Sequence, residues 1–244
     1  MSARTALPAP EIEASVEDRA WEAALAQPPA VPADEAEAAV PADDAAAAAA
    51  VPGDDAAAVP ADEAAAAVPA DDGAAALAAE GAAMALAAAG VAPDGLGVSV
   101  LFASDEAIAD LNARFRGRAG PTNVLSWPAE DLAPETPGEA PRPPSRLSWD
   151  GEPAPLGDLA LAYGTCAREA EAAGLPLRTH ALHLIVHGTL HLLGHDHEAE
   201  ADAARMERLE SEAMLAAGLP DPYLAHSREG RPDAEPRSDG SDGR

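Results

Sequence analysis

The sequence predicts an α+β domain, in which a small mixed β-sheet of about four strands packs against about five helices. Short apolar runs bounded by turn residues alternate with longer segments of helical period, a pattern typical of strands and helices around one core. The length allows one or two domains, but the first third is rich in alanine and poor in large apolar residues. A three-layer α/β arrangement of the same elements is the alternative.

Each element has a local signal in the sequence. The strands are expected at 11–16, 96–103, 123–127 and 156–164. The helices are expected around Trp21, over 74–90, from the N-cap Ser104 to Phe115, and over 165–173, 176–193 and 199–217. Residues 129–155 are rich in proline and predict a long loop.

Composition divides the chain into four parts. These are an N-terminal strand with the start of the first helix (1–26), an acidic Ala/Pro repeat (27–73), the main domain (74–226) and a polar tail (227–244). The repeat VPADD and its variants recur at irregular spacing without large apolar residues that could stack, so we expect the repeat segment and the tail to be disordered. An acidic mimic that competes with nucleic acid for a basic site is the functional alternative.

The charge and the cysteine count exclude several classes of protein. A net charge of −28 argues against a general nucleic-acid coat, although a local basic patch can still bind phosphate. A single cysteine, Cys166, excludes an internal disulfide framework and a cysteine-rich zinc site. No signal peptide or apolar run of membrane-spanning length is visible, so a cytoplasmic protein with no membrane contact is expected.

Five of the seven histidines lie in ALHLIVHGTLHLLGHDH, at 181–197. His183, His187 and His191 are spaced by four and share one helical face. Residues eight apart on a helix rise by about 12 Å, which is too far for His183 and His191 to share one ion. A single metal site can therefore use only one pair of neighbours.

Gly194 favours the pair His187 and His191. It is the natural end of the helix, and the turn that follows returns the chain toward the last helical turn. The spacing to His197 is that of the metzincin zinc helix, so a zincin-like metal helix with His187, His191 and His197 as ligands is predicted. His195, in the same turn, stays open as a further candidate, and His180 and His183 are expected to be structural or to support the ligands.

Three nitrogen ligands leave a fourth position for water, as in catalytic rather than structural zinc sites. The position after the first histidine, where a metzincin has its catalytic glutamate, is Gly188 here, which counts against a peptidase. One Zn²⁺ per chain is expected, although three imidazoles also suit nickel or copper. Asp158 and Asp196 are candidates for orienting a histidine.

Two motifs resemble those of the YbeY endoribonuclease family. HGTLHLLGHDH (187–197) is similar to the family signature, and LNARFRGRAGPTNVLSWP (111–128) is similar to a second family motif, with Trp127 at the usual phenylalanine. The resemblance covers about 96–128 and 155–224, and weakly 11–26. The acidic insertion and the long proline-rich loop depart from the family pattern, but neither contains a signature residue.

The resemblance implies a single-strand-specific, metal-dependent endoribonuclease that acts in 16S rRNA 3′-end maturation and 70S ribosome quality control. It implies that His187, His191 and His197 hold zinc and that Arg116 is the catalytic arginine. Metal-activated water would attack the phosphodiester, and a guanidinium can bind two phosphoryl oxygens as charge develops on them. The implied partners are single-stranded rRNA, the small ribosomal subunit and assembly factors such as an Era-type GTPase. Another zinc hydrolase and a non-catalytic ribosome-assembly factor are the alternatives.

Overall fold

A mixed β-sheet forms the centre of the fold. The structure, a computed structural model, describes residues 10–26, 68–69, 72–145 and 153–223. The strands are β1 (Glu11–Val16), β2 (Val68–Pro69), β3 (Leu96–Ala103), β4 (Val124–Pro128) and β5 (Ala154–Ala162), in the order β2-β1-β3-β5-β4. The neighbours β1, β3 and β5 are parallel, and β2 and β4 pair antiparallel at the two edges.

The predicted α+β class and the mixed sheet are confirmed. The four predicted strands correspond to β1, β3, β4 and β5, and the two-residue β2 is an addition that pairs with the end of β1. The N-terminal segment is part of the same core, because Trp21 is fully buried and packs edge-on against Phe102 of β3.

Six helices are present in the described part of the chain. They are α1 (Ala20–Leu25), α2 (Asp72–Ala88), α3 (Asp105–Arg116), α4 (Tyr163–Ala172), α5 (Leu177–Leu192) and α6 (Glu200–Ala216). The predicted N-cap of α3 is confirmed, since the Ser104 hydroxyl accepts a hydrogen bond from the Ala107 amide. Among the described residues, no helix has both the length and the hydropathy to cross a bilayer.

The two faces of the sheet are covered by different helices. On one face, buried side chains of α2, α5 and α6 pack against Val98, Val100 and Leu159. On the other face, α3 packs against Leu101 and Leu125. The larger core surrounds α5, every residue of which is buried from His180 to Leu192.

Part of the predicted proline-rich loop is fixed to the rest of the fold. The Gly138 amide donates to the Asp202 carboxylate at 2.8 Å, and an Arg205 guanidinium N–H donates to the Gly138 carbonyl. Both partners lie on α6, so residues 129–145 cross the start of this helix. The predicted acidic segment lies outside the described residues except for β2 and the start of α2, and the predicted tail lies entirely outside them.

Candidate metal centre

Helix α5 ends in a turn that brings the chain back beside its last residues. Gly194 has a left-handed φ of 83°. Its amide donates to the His191 carbonyl at 2.9 Å, and the His195 amide donates to the Leu190 carbonyl at 3.0 Å, which together form a Schellman motif. A Cβ atom on Gly194 would lie 2.5 Å from the carbonyl carbon of Leu132. Both conformation and space therefore require glycine here.

This turn brings three imidazole rings together. One ring nitrogen from each of His187, His191 and His197 lies within 4.8 Å of the other two. The ring centroids are 4.7 Å apart for the two helical histidines, and His197 lies 5.0 Å from His191 and 5.5 Å from His187. The structure thus places together the three residues that the spacing selected, in a cluster that could hold a metal ion.

Hydrogen bonds determine which nitrogen of each helical histidine faces the cluster. Nδ1 of His191 lies 2.9 Å from the His195 carbonyl oxygen, and Nδ1 of His187 lies 3.0 Å from a carboxylate oxygen of Glu210. Because both partners are acceptors, each Nδ1 carries the proton and each Nε2 presents a lone pair. The two Nε2 atoms are 3.1 Å apart. Two nitrogen ligands of one tetrahedral zinc ion lie about 3.3 Å apart, so the pair fits a metal.

The third ring is also suited to a cation. The Nε2 atom of His197 is buried and has no hydrogen-bond partner among the described residues, which is unfavourable unless an ion satisfies it. Burial and then the nearby His187 lower the pKa of His197. Burial, followed by the charges of His187 and His197, lowers the pKa of His191 well below its ordinary value. Both rings are therefore neutral near pH 7, as metal ligands must be.

The carboxylate of Glu210, on α6, holds the cluster in place. Its side chain is 1% exposed, accepts hydrogen bonds from His187 and from the Tyr223 hydroxyl (2.8 Å), and contacts Nε2 of His183. Burial would raise the pKa of Glu210, but the attraction of His187 and the hydrogen bonds with His183 and His187 keep it below its ordinary value. Since both of its oxygens are engaged, Glu210 orients His187 and is not free to act as a base.

Sequence reasoning missed Glu210, although a signal was present. The residue shares one face of α6 with Met206, Ala213 and Met214, which are all buried. A carboxylate within an apolar stripe is rarely buried without a partner, so its position indicated a buried contact. Of the two aspartates considered for this role, Asp196 accepts from the His197 amide at 2.7 Å, and Asp158 lies on β5 opposite Trp127.

The remaining histidines of α5 and its turn lie outside the cluster. Nε2 of His180 is 2.7 Å from a carboxylate oxygen of Glu169, which is a structural contact, whereas His183 contacts Glu210 and through it supports His187. His195 contributes its carbonyl oxygen to the cluster. Burial, and then the positive charges of Arg205 and Arg208, lower the pKa of the His195 side chain to about 4.

A family profile described as "Endoribonuclease YbeY" matches residues 67–218, which is more than half of the chain. The chain belongs to the YbeY family. The match begins after most of the acidic repeat, although β1 lies before it and is part of the same sheet.

Curated relatives of the same name match about half of the chain. Endoribonuclease YbeY of Dinoroseobacter shibae is 59% identical over 133 residues, covering 54% of this chain and 71% of the relative. The Jannaschia protein of the same name is 57% identical over 131 residues, covering 54% and 78%. The solution structure of TM1509 from Thermotoga maritima is 19% identical, with a TM-score of 0.36, and covers 66% of this chain and 89% of that one.

The glycine of the YbeY signature packs closely against the sheet. A Cβ atom on Gly188 would lie 2.7 Å from a methyl carbon of Leu159 on β5. A glutamate at this position would displace Leu159 and would point into the sheet. The structure therefore offers no place for the glutamate that a metzincin peptidase has after its first histidine.

Arg116 lies on a different helix from the histidines. It is the last residue of α3, half-buried, and burial followed by the positive charge of Arg118 lowers its pKa. Its neighbour Phe115 packs edge-on against Trp127 of the edge strand β4. Helix α3 packs on the face of the sheet opposite α5. The catalytic role of Arg116 stays a prediction.

Proposed function

We propose that this chain is a zinc-dependent endoribonuclease that cleaves single-stranded RNA. The observation that carries the proposal is the set of three converging imidazoles, two of which have their Nδ1 protons fixed so that Nε2 faces a common point. A zinc ion at that point would supply a Lewis acid that activates water near neutral pH. Membership of the YbeY family supplies the substrate class.

In this proposal, three histidines hold the metal and one arginine binds the substrate. His187, His191 and His197 hold one Zn²⁺, while Glu210 and the His195 carbonyl orient the two helical rings. Arg116 binds the phosphate of the scissile bond, where a planar guanidinium can contact two oxygens at once. Its position at the C-terminal end of α3, where Phe115 packs on the edge strand β4, is compatible with a long substrate that passes the edge of the sheet.

The biological setting rests on the family. We propose action in the cytoplasm on the 3′ end of 16S rRNA and in quality control of 70S ribosomes, with the small subunit and an Era-type GTPase as partners. A peptidase is disfavoured by Gly188, because its contact with Leu159 excludes the required glutamate. A non-catalytic assembly factor would bind rRNA equally well with and without metal.

Bound metal and RNA cleavage can be measured in parallel for the wild type and two variants. We expect about one zinc per chain, which three-imidazole sites typically hold. His191→Ala should lose both metal and cleavage, whereas Arg116→Ala should keep the metal and lose cleavage. Arg168→Ala, an exposed arginine on α4, is the matched control and should keep both. Cleavage of peptides but not of RNA would contradict the proposal.

A further inference from the structure

A cavity of about 410 Å³ adjoins the turn at the end of α5, where Leu193 and His195 line it. Three guanidinium groups and one imidazole line it, those of Arg142, Arg205, Arg208 and His195, and we call it the arginine cavity. None of the described residues that line it is acidic. This composition is unexpected in a chain with a net charge of −28. A cavity of this size falls within the range of about 300–1,000 Å³ found for small-molecule sites.

The neighbouring cavity has the opposite character. It has a volume of about 240 Å³ and shares Pro141, His195 and Arg205 with the arginine cavity, and the rest of its lining includes five acids: Glu135, Glu139, Asp196, Glu198 and Asp202. A negatively charged ligand that approaches this side of the molecule is therefore directed to one cavity and repelled from the other.

The arginines of the cavity are available to a ligand. Arg208 pairs with Glu212 at 2.7 Å and Arg142 with Asp131 at 3.8 Å, but all four side chains are more than half exposed. Exposed ion pairs contribute little to stability, so a phosphate can replace either carboxylate. Arg205 is held in place by its bond to the Gly138 carbonyl.

The apolar part of the lining could contact the base and the ribose of a nucleotide whose phosphate the arginines bind. This part includes Val91, Leu193 and Leu209 together with prolines of the 129–145 loop. Apolar surface beside guanidinium groups can contact a base and a ribose while the arginines bind phosphate. Arginine side chains also stack on bases.

The arginine cavity lies next to the proposed metal-binding histidines. The side chain of His195 lines the cavity, and its carbonyl oxygen accepts the Nδ1 proton of the proposed ligand His191. We propose that the arginine cavity binds a nucleotide of the single-stranded RNA that flanks the scissile bond. This inference rests on the proposed function and adds a second contact for the substrate.

The test uses the full chain and a 12-nucleotide single-stranded RNA, and binding is measured by rapid mixing before the RNA is cleaved. The double variant Arg142→Ala/Arg208→Ala should bind this RNA about tenfold more weakly, because two charge-assisted contacts are lost. The slope of log K against log salt should fall by about 1.4, at about 0.7 per phosphate contact. Metal content and melting temperature should not change.

The matched control removes two exposed or half-exposed, ion-paired arginines elsewhere, in Arg168→Ala/Arg178→Ala. This variant has the same net charge, and it should bind RNA within about twofold of the wild type. A third variant, Ala89→Phe, fills the cavity without a change of charge and should also weaken binding. Equal losses in the two double variants, or no loss in Ala89→Phe, would overturn the proposal.

Three further outcomes distinguish RNA binding in the cavity from binding of a free anion and from failure of the proposed function. Displacement of the RNA by millimolar inorganic phosphate alone would assign the cavity to a free anion and would overturn the inference. Normal RNA binding and cleavage by Arg142→Ala/Arg208→Ala would overturn the proposal that the cavity binds RNA, but would leave the proposed function intact. A wild-type protein that neither binds nor cleaves RNA would contradict the proposed function itself.

Discussion

Glu210 is not one of the three clustered histidines, but its carboxylate holds one of them, His187, in position. Its two oxygens contact His183, His187 and Tyr223, so residues from two helices and from the segment after α6 meet at one carboxylate. The cluster of three histidines could be predicted from the sequence because helical spacing and a glycine are local features. The partner of His187 could not, because it comes from another helix, 23 residues away in the chain.

Replacement of Glu210 by glutamine should weaken metal binding. Glutamine cannot accept hydrogen bonds at both positions, so the Nδ1 proton of His187 and its ring orientation are no longer fixed. We expect the affinity for zinc to fall about 10–100-fold, as for other groups that orient metal ligands. Competition with a chromophoric chelator measures this affinity.

Glu212→Gln is the control, since Glu212 lies on the same helix and is about half exposed at 53%. It should bind zinc as the wild type does. Unchanged affinity in Glu210→Gln would show that Glu210 has no influence on the ligand.

At the scale of the element, the boundaries of α5 were predictable to within one residue. The prediction was 176–193 and the helix spans Leu177–Leu192, because Pro176 and Gly194 mark its two ends. The packing of α3 and α5 on opposite faces of the sheet could not be predicted. The sequence of a helix does not indicate which face of the sheet the helix covers. The sequence therefore predicts Arg116 and the histidines in one site but does not predict how their elements are placed relative to one another.

Gly194→Ala should destabilise the end of α5. Alanine would have to adopt a left-handed φ, and its Cβ would overlap the backbone of Leu132. We expect a loss of about 3 kcal/mol in the free energy of unfolding, from backbone strain and overpacking together. Urea unfolding measures this loss, and zinc binding should weaken in parallel.

Gly90→Ala is a matched control, because Gly90 also has a left-handed φ, of 69°, but nothing lies near its Cβ position. It should cost only about 1 kcal/mol, for the strain alone. Equal losses in the two variants would mean that the contact with Leu132 has no effect.

At the scale of the whole molecule, the connection between β1 and β3 is the unusual feature. It contains the acidic repeat, which more than doubles its length, yet β1 and β3 pair in register from Glu11 and Gly97 to Val16 and Phe102. Each doubling of a flexible connection costs only about 0.6 kcal/mol in closure entropy. The composition of the repeat was evident from the sequence, whereas the pairing of Val68 with Val16 at its end was not.

Deletion of residues 30–66 should leave zinc content and the melting temperature unchanged, because the deletion keeps β2 and the whole of α2. Deletion of 30–72 also removes β2 and the first residue of α2, and it should lower the melting temperature by a few degrees, about 1 kcal/mol for a domain of this size. Calorimetry and metal analysis of the two proteins provide the test. Loss of metal in the shorter deletion would show that the repeat supports the site.

The Schellman turn at Gly194 also connects the metal centre to local unfolding. The His195 amide is bonded to Leu190, while the carbonyl of the same residue holds the ring of His191. Fraying of this one turn therefore breaks a backbone bond and releases a proposed ligand in the same event. Exchange of the His195 amide with deuterium would then slow as zinc binds, so that a single backbone proton reports the occupancy of the metal site.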